Sequence, residues 1–137
     1  MLSEVREAAG NDPDVFILEL QPSAPLEVNA LQRASTVVIQ KSLREGFGLT
    51  VAEALWKKKP VVASAVGGIP IQVIHKHTGL LAHSVEGAAY QIRYLLSHPD
   101  IAARLGEQGH QHVRENFLIT QNLRRYLTLF LLLDSHS

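Results

Sequence analysis

Along this chain, short apolar runs alternate with longer stretches in which apolar positions recur at helical spacing. Val15-Phe16-Ile17-Leu18-Glu19-Leu20 follows the turn-like Asn11-Asp12-Pro13-Asp14 and predicts a strand. Pro25 suits a first helical turn, and a helix is predicted from Leu26 to Ala34. Thr36-Val37-Val38-Ile39-Gln40 is a second β-branched run. A glycine-bearing loop follows it, then a predicted helix from about Leu49 to Lys58. Lys57-Lys58-Lys59 complements the dipole at that helix's end, and Pro60 stops it. Pro60-Val61-Val62-Ala63-Ser64 predicts a third strand, which runs into Gly67-Gly68. Pro70 opens a short helix over Ile69 to Ile74, and Thr78-Gly79 turns into a fourth strand, Leu80-Leu81-Ala82-His83. The rest reads as helical, with starts near Ser84, at Ser97-His98-Pro99-Asp100 and at about Leu118, the last running toward Leu133.

Short apolar strands separated by helices predict an α/β fold: a Rossmann-like parallel sheet of about four strands flanked by helices, with a helical C-terminus. Such sheets bind ligands beyond the carboxyl ends of their strands. Both glycine loops follow predicted strands, so they are expected on the same rim.

Composition narrows the function classes. With 137 residues the chain fits one domain, and 46% apolar against 19% charged residues is a globular balance. Lys plus Arg and Asp plus Glu are 13 each, so no net field favours nucleic acid or an anionic membrane. The absence of cysteine excludes a disulfide scaffold, a thiolate nucleophile and a cysteine-ligated zinc, and suits a cytoplasmic protein. The first residues lack the apolar core of a signal peptide. The run Leu127 to Leu133 falls far short of the about 20 residues a bilayer requires.

The candidate chemistry lies in Lys41-Ser42-Leu43-Arg44-Glu45-Gly46-Phe47-Gly48-Leu49-Thr50-Val51-Ala52-Glu53. Gly46 and Gly48 sit between strand and helix, where a ligand can approach the backbone closely. The helix that follows presents unpaired N–H groups at Leu49, Thr50 and Val51, a setting that favours phosphate. Glu45 and Glu53 flank the loop, and a carboxylate can accept two hydrogen bonds from a vicinal diol. Each glutamate also has a plainer reading. Thr50-Val51-Ala52-Glu53 fits a capping box, and Glu45 fits a solvated loop charge.

Glu45 and Glu53, seven residues apart, resemble the E-x7-E motif of retaining GT-B glycosyltransferases of the glycogen-synthase-like and sucrose-synthase-like class. Ser42 to Leu49 is similar to that class's S-x-x-E-G-F-G-L core. Pro60-Val61-Val62-Ala63 with Gly67-Gly68-Ile69-Pro70, and then Thr78-Gly79-Leu80-Leu81, resemble its following segments in order. The resemblance covers roughly Leu26 to Phe117. Within the class, Ser23 to Ala34 and Val85-Glu86-Gly87-Ala88-Ala89 resemble most the archaeal trehalose synthases of the glycosyltransferring type.

The resemblance implies half of a GT-B fold that binds a nucleoside-diphosphate glucose and, with its other half, joins that glucose to free glucose as trehalose. It implies Glu45 as the catalytic residue facing the transferred sugar, and Glu53 on the ribose hydroxyls. Gly46, Phe47 and Gly48 would contact the hexose, and the N–H groups of Leu49 and Thr50 the diphosphate. Retention would come from front-face attack assisted by the leaving phosphate, with no cofactor and no metal. Residues 1–137 are then expected to form a single, N-terminally truncated donor domain without an acceptor domain, inactive alone.

The chain also departs from the pattern. The class's diphosphate-clamping arginine and lysine have no counterpart, because Arg33, Lys41 and Arg44 do not match their positions. Ile71 follows Pro70 where Gly-Gly-x-Pro-Glu would place a glutamate, and Gln72 comes next. A non-catalytic nucleotide- or sugar-binding module, or a partner subunit, is therefore the rival reading. His75/His77 and His110/His112 are i, i+2 pairs, which do not converge on a helix, so they are read as structural. The apolar tail Tyr126 to Leu133 predicts either self-association or packing on its own sheet.

Overall fold

A computed structural model describes residues 2–21 and 24–134, which divide into two compact units, 1–30 and 31–137. Ser23, first in the run compared above, lies outside the described residues. The first unit holds helix α1 (Leu2–Ala9), an extended segment and the start of helix α2 (Pro25–Ala34). Arg6 donates to the Glu19 carboxylate within it. The strand expected over 15–20 does not form, and Val15, Phe16, Leu18 and Leu20 are exposed. β-Branched and aromatic residues favour a strand only when a neighbouring ladder and a buried face reward pairing, and the described residues supply no ladder there.

The second unit contains β1 (Val38–Gln40), α3 (Leu49–Trp56), β2 (Val61–Ser64), α4 (Ile69–Gln72), β3 (Leu80–Ala82), α5 (Val85–Ser97), α6 (Pro99–Asn116) and α7 (Ile119–Asp134). The sheet has three parallel strands in the order β1-β2-β3, one fewer than expected. Val38 pairs with Val61, and Val62 pairs with Leu80.

β2 is buried along its whole length, which accounts for its unbroken apolar run. Its alternation splits the core. Val61 and Ala63 pack with Val51, Leu55, Ile69 and Val113 on one face. Val62 joins Leu80, Leu95 and Leu105 on the other. α6 supplies residues to both clusters.

α3 ends at Trp56, two residues before the expected Lys58. The Lys58 N–H bonds the Leu55 carbonyl and the Lys59 N–H reaches back to Ala54, while Lys58 itself adopts φ 60°. These paired bonds close the helix in a Schellman motif, with lysine where glycine is usual. α5 starts as expected, with the Ser84 hydroxyl accepting from the Gly87 N–H at 2.9 Å. α7 contributes no buried residue, and Leu127, Phe130 and Leu131 are exposed on it. No helix among the described residues is long and apolar enough to cross a membrane.

Candidate functional site

The loops after β1 and β2 leave adjacent parallel strands in the same direction, so they share one rim of the sheet. They are fastened backbone to backbone. The Gly68 N–H donates to the Gly46 carbonyl at 2.6 Å. Gly67 adopts φ +56°, and a Cβ there would lie 1.7 Å from the Glu45 carbonyl oxygen. Only glycine permits that conformation and that approach together.

Gly48 caps α3 in the left-handed region at φ 83°, with no side chain bonding the first turn. Two expectations change here. Thr50 lies inside the helix, not at its cap, so Thr50-Val51-Ala52-Glu53 is not a capping box. The Val51 N–H is not free, because it bonds the Gly48 carbonyl at 3.0 Å. The left-handed glycine turns its own carbonyl toward the helix and takes the place of a side-chain cap. The N–H groups of Leu49 and Thr50 have no acceptor among the described residues, and both residues are exposed.

Glu45 is partly buried and oriented by three donors. Its Oε2 accepts from Gln40 Nε2 at 3.2 Å and from Ser42 Oγ at 3.3 Å, and its Oε1 from the Gly46 N–H at 3.1 Å. Gln40 also bonds Ser42 at 2.8 Å, so the two donors brace each other. A carboxylate offers about four acceptor positions, which leaves capacity for a ligand hydroxyl. This geometry holds Glu45 in place, which a freely solvated loop charge would not require.

Glu53 is exposed on α3, and its Oε2 lies 3.4 Å from the buried Gln32 Nε2. Gln32 Oε1 accepts from Lys57 Nζ at 2.7 Å. The glutamine thus ties the last turn of α2 to the middle and the C-terminal end of α3. Gln72 is fully buried beneath the first loop and donates to the Phe47 carbonyl. Phe47 packs its ring on Phe117, centroids 5.6 Å apart, and Phe117 meets His112 edge-on. His112 in turn bonds the Ile71 carbonyl at 2.8 Å. Sequence reasoning had given none of Gln32, Gln40, Gln72 and Phe117 a role. For Gln72 the available sign was its apolar neighbours Ile71 and Val73.

His110 Nδ1 lies 2.6 Å from the Trp56 carbonyl, which with His112 makes that i, i+2 pair structural. Among the described residues no three His, Cys, Asp or Glu side chains are grouped to hold a metal ion.

The family model described as glycosyl transferases group 1 matches residues 2–112, beginning well before Leu26. A trehalose synthase of Thermococcus litoralis is 50% identical over 121 residues, 88% of this chain and 29% of that protein. The chain therefore spans less than a third of that relative's length. Among solved structures, sucrose-phosphate synthase from Thermosynechococcus elongatus superposes with a TM-score of 0.78 at 29% identity, covering 99% of this chain and 34% of that one. Anabaena HepE in complex with UDP-glucose shares the fold, with a TM-score of 0.74 at 23% identity over 93% of this chain and 35% of that one. The parallel sheet, its paired glycine loops and these likenesses agree on half of a GT-B fold. The chain belongs to the glycosyl transferases group 1 family.

Proposed function

We propose that this chain binds the donor, a nucleoside-diphosphate glucose, for a retaining glucosyltransferase that forms trehalose. The observation that carries the reading is the rim itself. Two backbone-locked glycine loops stand beside a pre-oriented Glu45 and a helix start whose Leu49 and Thr50 N–H groups lack acceptors among the described residues. In this reading those N–H groups receive the diphosphate. Gly46, Phe47 and Gly48 line the hexose, Glu45 meets its hydroxyls as the catalytic residue, and Glu53 holds the ribose diol. Positioning and preorganised charge supply most of the rate enhancement, and neither a metal nor a cofactor is invoked. The 50% identity to a trehalose synthase supports the product, and the UDP-glucose held by HepE supports the donor class. A cytoplasmic setting belongs to the same reading, since a cysteine-free chain gains nothing from an oxidising compartment.

Calorimetric titration with ADP-glucose, UDP-glucose and free glucose tests the proposal. Saturable binding of a nucleotide-sugar, weakened about tenfold or more in Glu53→Gln at unchanged melting temperature, is the expected result. Glutamine at 53 keeps an amide oxygen that can accept from Gln32, so the substitution separates binding from stability. Nucleotide-sugar binding that ignores both Glu45→Gln and Glu53→Gln would remove these residues from the site. The rival, a module or partner subunit without catalysis, is distinguished by complementation. Mixing with the remaining length of a trehalose synthase restores turnover under the first reading and not under the second. The exposed apolar side chains of α7 support self-association through that helix, and a concentration-independent monomer in light scattering would refute it.

A further inference from the structure

A cavity of about 460 Å³ opens between β3, α5 and α6, lined by His75, Lys76, Tyr90, Gln91, Tyr94 and Arg104. It shares no residue with the two glycine loops. We propose that it binds a small phosphorylated sugar. The assignment stands independently of the donor-site reading.

The cavity's charge is one-sided. Lys76 and Arg104 line it, and no carboxylate does. Neither cation forms an ion pair with another described residue. Surface cations are ordinarily balanced by nearby carboxylates or by bulk water, whereas here two line one concave space with no counter-ion among the described residues, an arrangement that suits a phosphate. His75 lines the same space. Partial burial, then the Lys76 ammonium and His83, hold its pKa below 6.5. Its Nδ1 accepts the Leu81 N–H at 3.0 Å, so the neutral ring carries its proton on Nε2 and remains a donor. Lys76 is held at φ 65° in a turn closed by its N–H bond to the Gly79 carbonyl, a conformation uncommon for residues other than glycine.

The rest of the lining suits a sugar ring. Tyr90 and Tyr94, one helical turn apart, stand nearly parallel at 17° with centroids 6.4 Å apart; Tyr94 stacks on His98 at 4.4 Å, which leaves the exposed Tyr90 ring as the face to which the C–H side of a pyranose can pack. Gln91 and the two phenols add donors and acceptors for ring hydroxyls. Buried Leu80 and Leu105 supply apolar lining beneath them. The volume lies within the about 300–1,000 Å³ of small-molecule sites and accommodates one monosaccharide with its phosphate.

Titration of the chain with glucose 6-phosphate, inorganic phosphate and glucose, followed by amide NMR, tests the assignment. Glucose 6-phosphate should saturate, with shifts centred on Lys76, Leu81, Gln91 and Arg104. It should bind at least about tenfold more tightly than inorganic phosphate or glucose. Arg104→Gln and Lys76→Asn, the latter chosen because asparagine tolerates positive φ, should each raise the Kd about tenfold. Both positions are exposed, so the melting temperature should hold, and binding of UDP-glucose should be unaltered in both variants. The proposal fails if glucose 6-phosphate does not saturate, if inorganic phosphate binds as tightly, or if both substitutions leave the Kd unchanged.

Discussion

Gly67→Ala tests the joint between the two site loops. A left-handed backbone costs an L-residue about 1–2 kcal/mol relative to glycine. The new Cβ would stand 1.7 Å from the Glu45 carbonyl oxygen, where ordinary contact begins at 3.4 Å, so the loops must part by about 1.7 Å. That movement breaks the 2.6 Å bond from the Gly68 N–H to the Gly46 carbonyl, a further loss of about 1 kcal/mol. The expected destabilisation is at least about 2–3 kcal/mol, with donor binding lost alongside. Urea denaturation measures the first and calorimetry the second. Gly46→Ala is the control for stability alone, because a Cβ there meets nothing within 4 Å and its φ is not positive. Gly67→Asn divides the two causes: it relieves the dihedral cost but keeps the Cβ. Gly67→Ala within about 0.5 kcal/mol of the parent, or full recovery in Gly67→Asn, would refute the steric account.

Other predictions follow from single contacts. Gln72→Met removes the donor to the Phe47 carbonyl together with a buried amide oxygen that has no partner among the described residues, so stability should change by less than about 1 kcal/mol while donor affinity falls. Unchanged affinity would show that the glutamine does not position the loop. Ser84→Ala removes the cap of α5 and should cost about 1 kcal/mol in chemical denaturation, whereas a loss below about 0.3 kcal/mol would mean the cap is idle. His75 titrates below 6.5 in the folded protein, so the unfolded chain binds its proton first as pH falls. Its contribution to stability is therefore complete above 6.5 and is lost as pH drops through and below that value. Denaturation curves across this range should show the loss, and His75→Gln should flatten it.

Much of this organisation was legible in the sequence because local chemistry and tertiary context agree. The buried run of β2, the prolines opening α2 and α6, and the Ser84 cap each have a local cause that the fold preserves. The 15–20 run failed for the opposite reason, since its propensity needs a ladder that no local pattern can supply. α1 went unpredicted although Leu2, Val5 and Ala9 recur at helical spacing, and it buries nothing. At the site, residue types and spacing gave Glu45, the glycines and Glu53. They could not give the partners, because hydrogen bonds from Gln32 to Glu53 and from Gln72 to Phe47 join positions 21 and 25 residues apart. Nor could they separate a capping box from a left-handed glycine cap. That choice depends on φ at Gly48, which the neighbouring loop helps to set.

The joint between the loops is made of main-chain atoms, with Gly67 and Gly68 resting on the backbone of Glu45, Gly46 and Phe47. A fastening of that kind is indifferent to the side chains it carries, provided the glycines remain. Exposed positions beside it are thus free to drift, as Ile71 illustrates: its side chain is exposed, and its carbonyl is what His112 engages. The rim can change which sugar it recognises without redesigning its frame, and a lineage could sample new donors there by single substitutions while its folding stays intact.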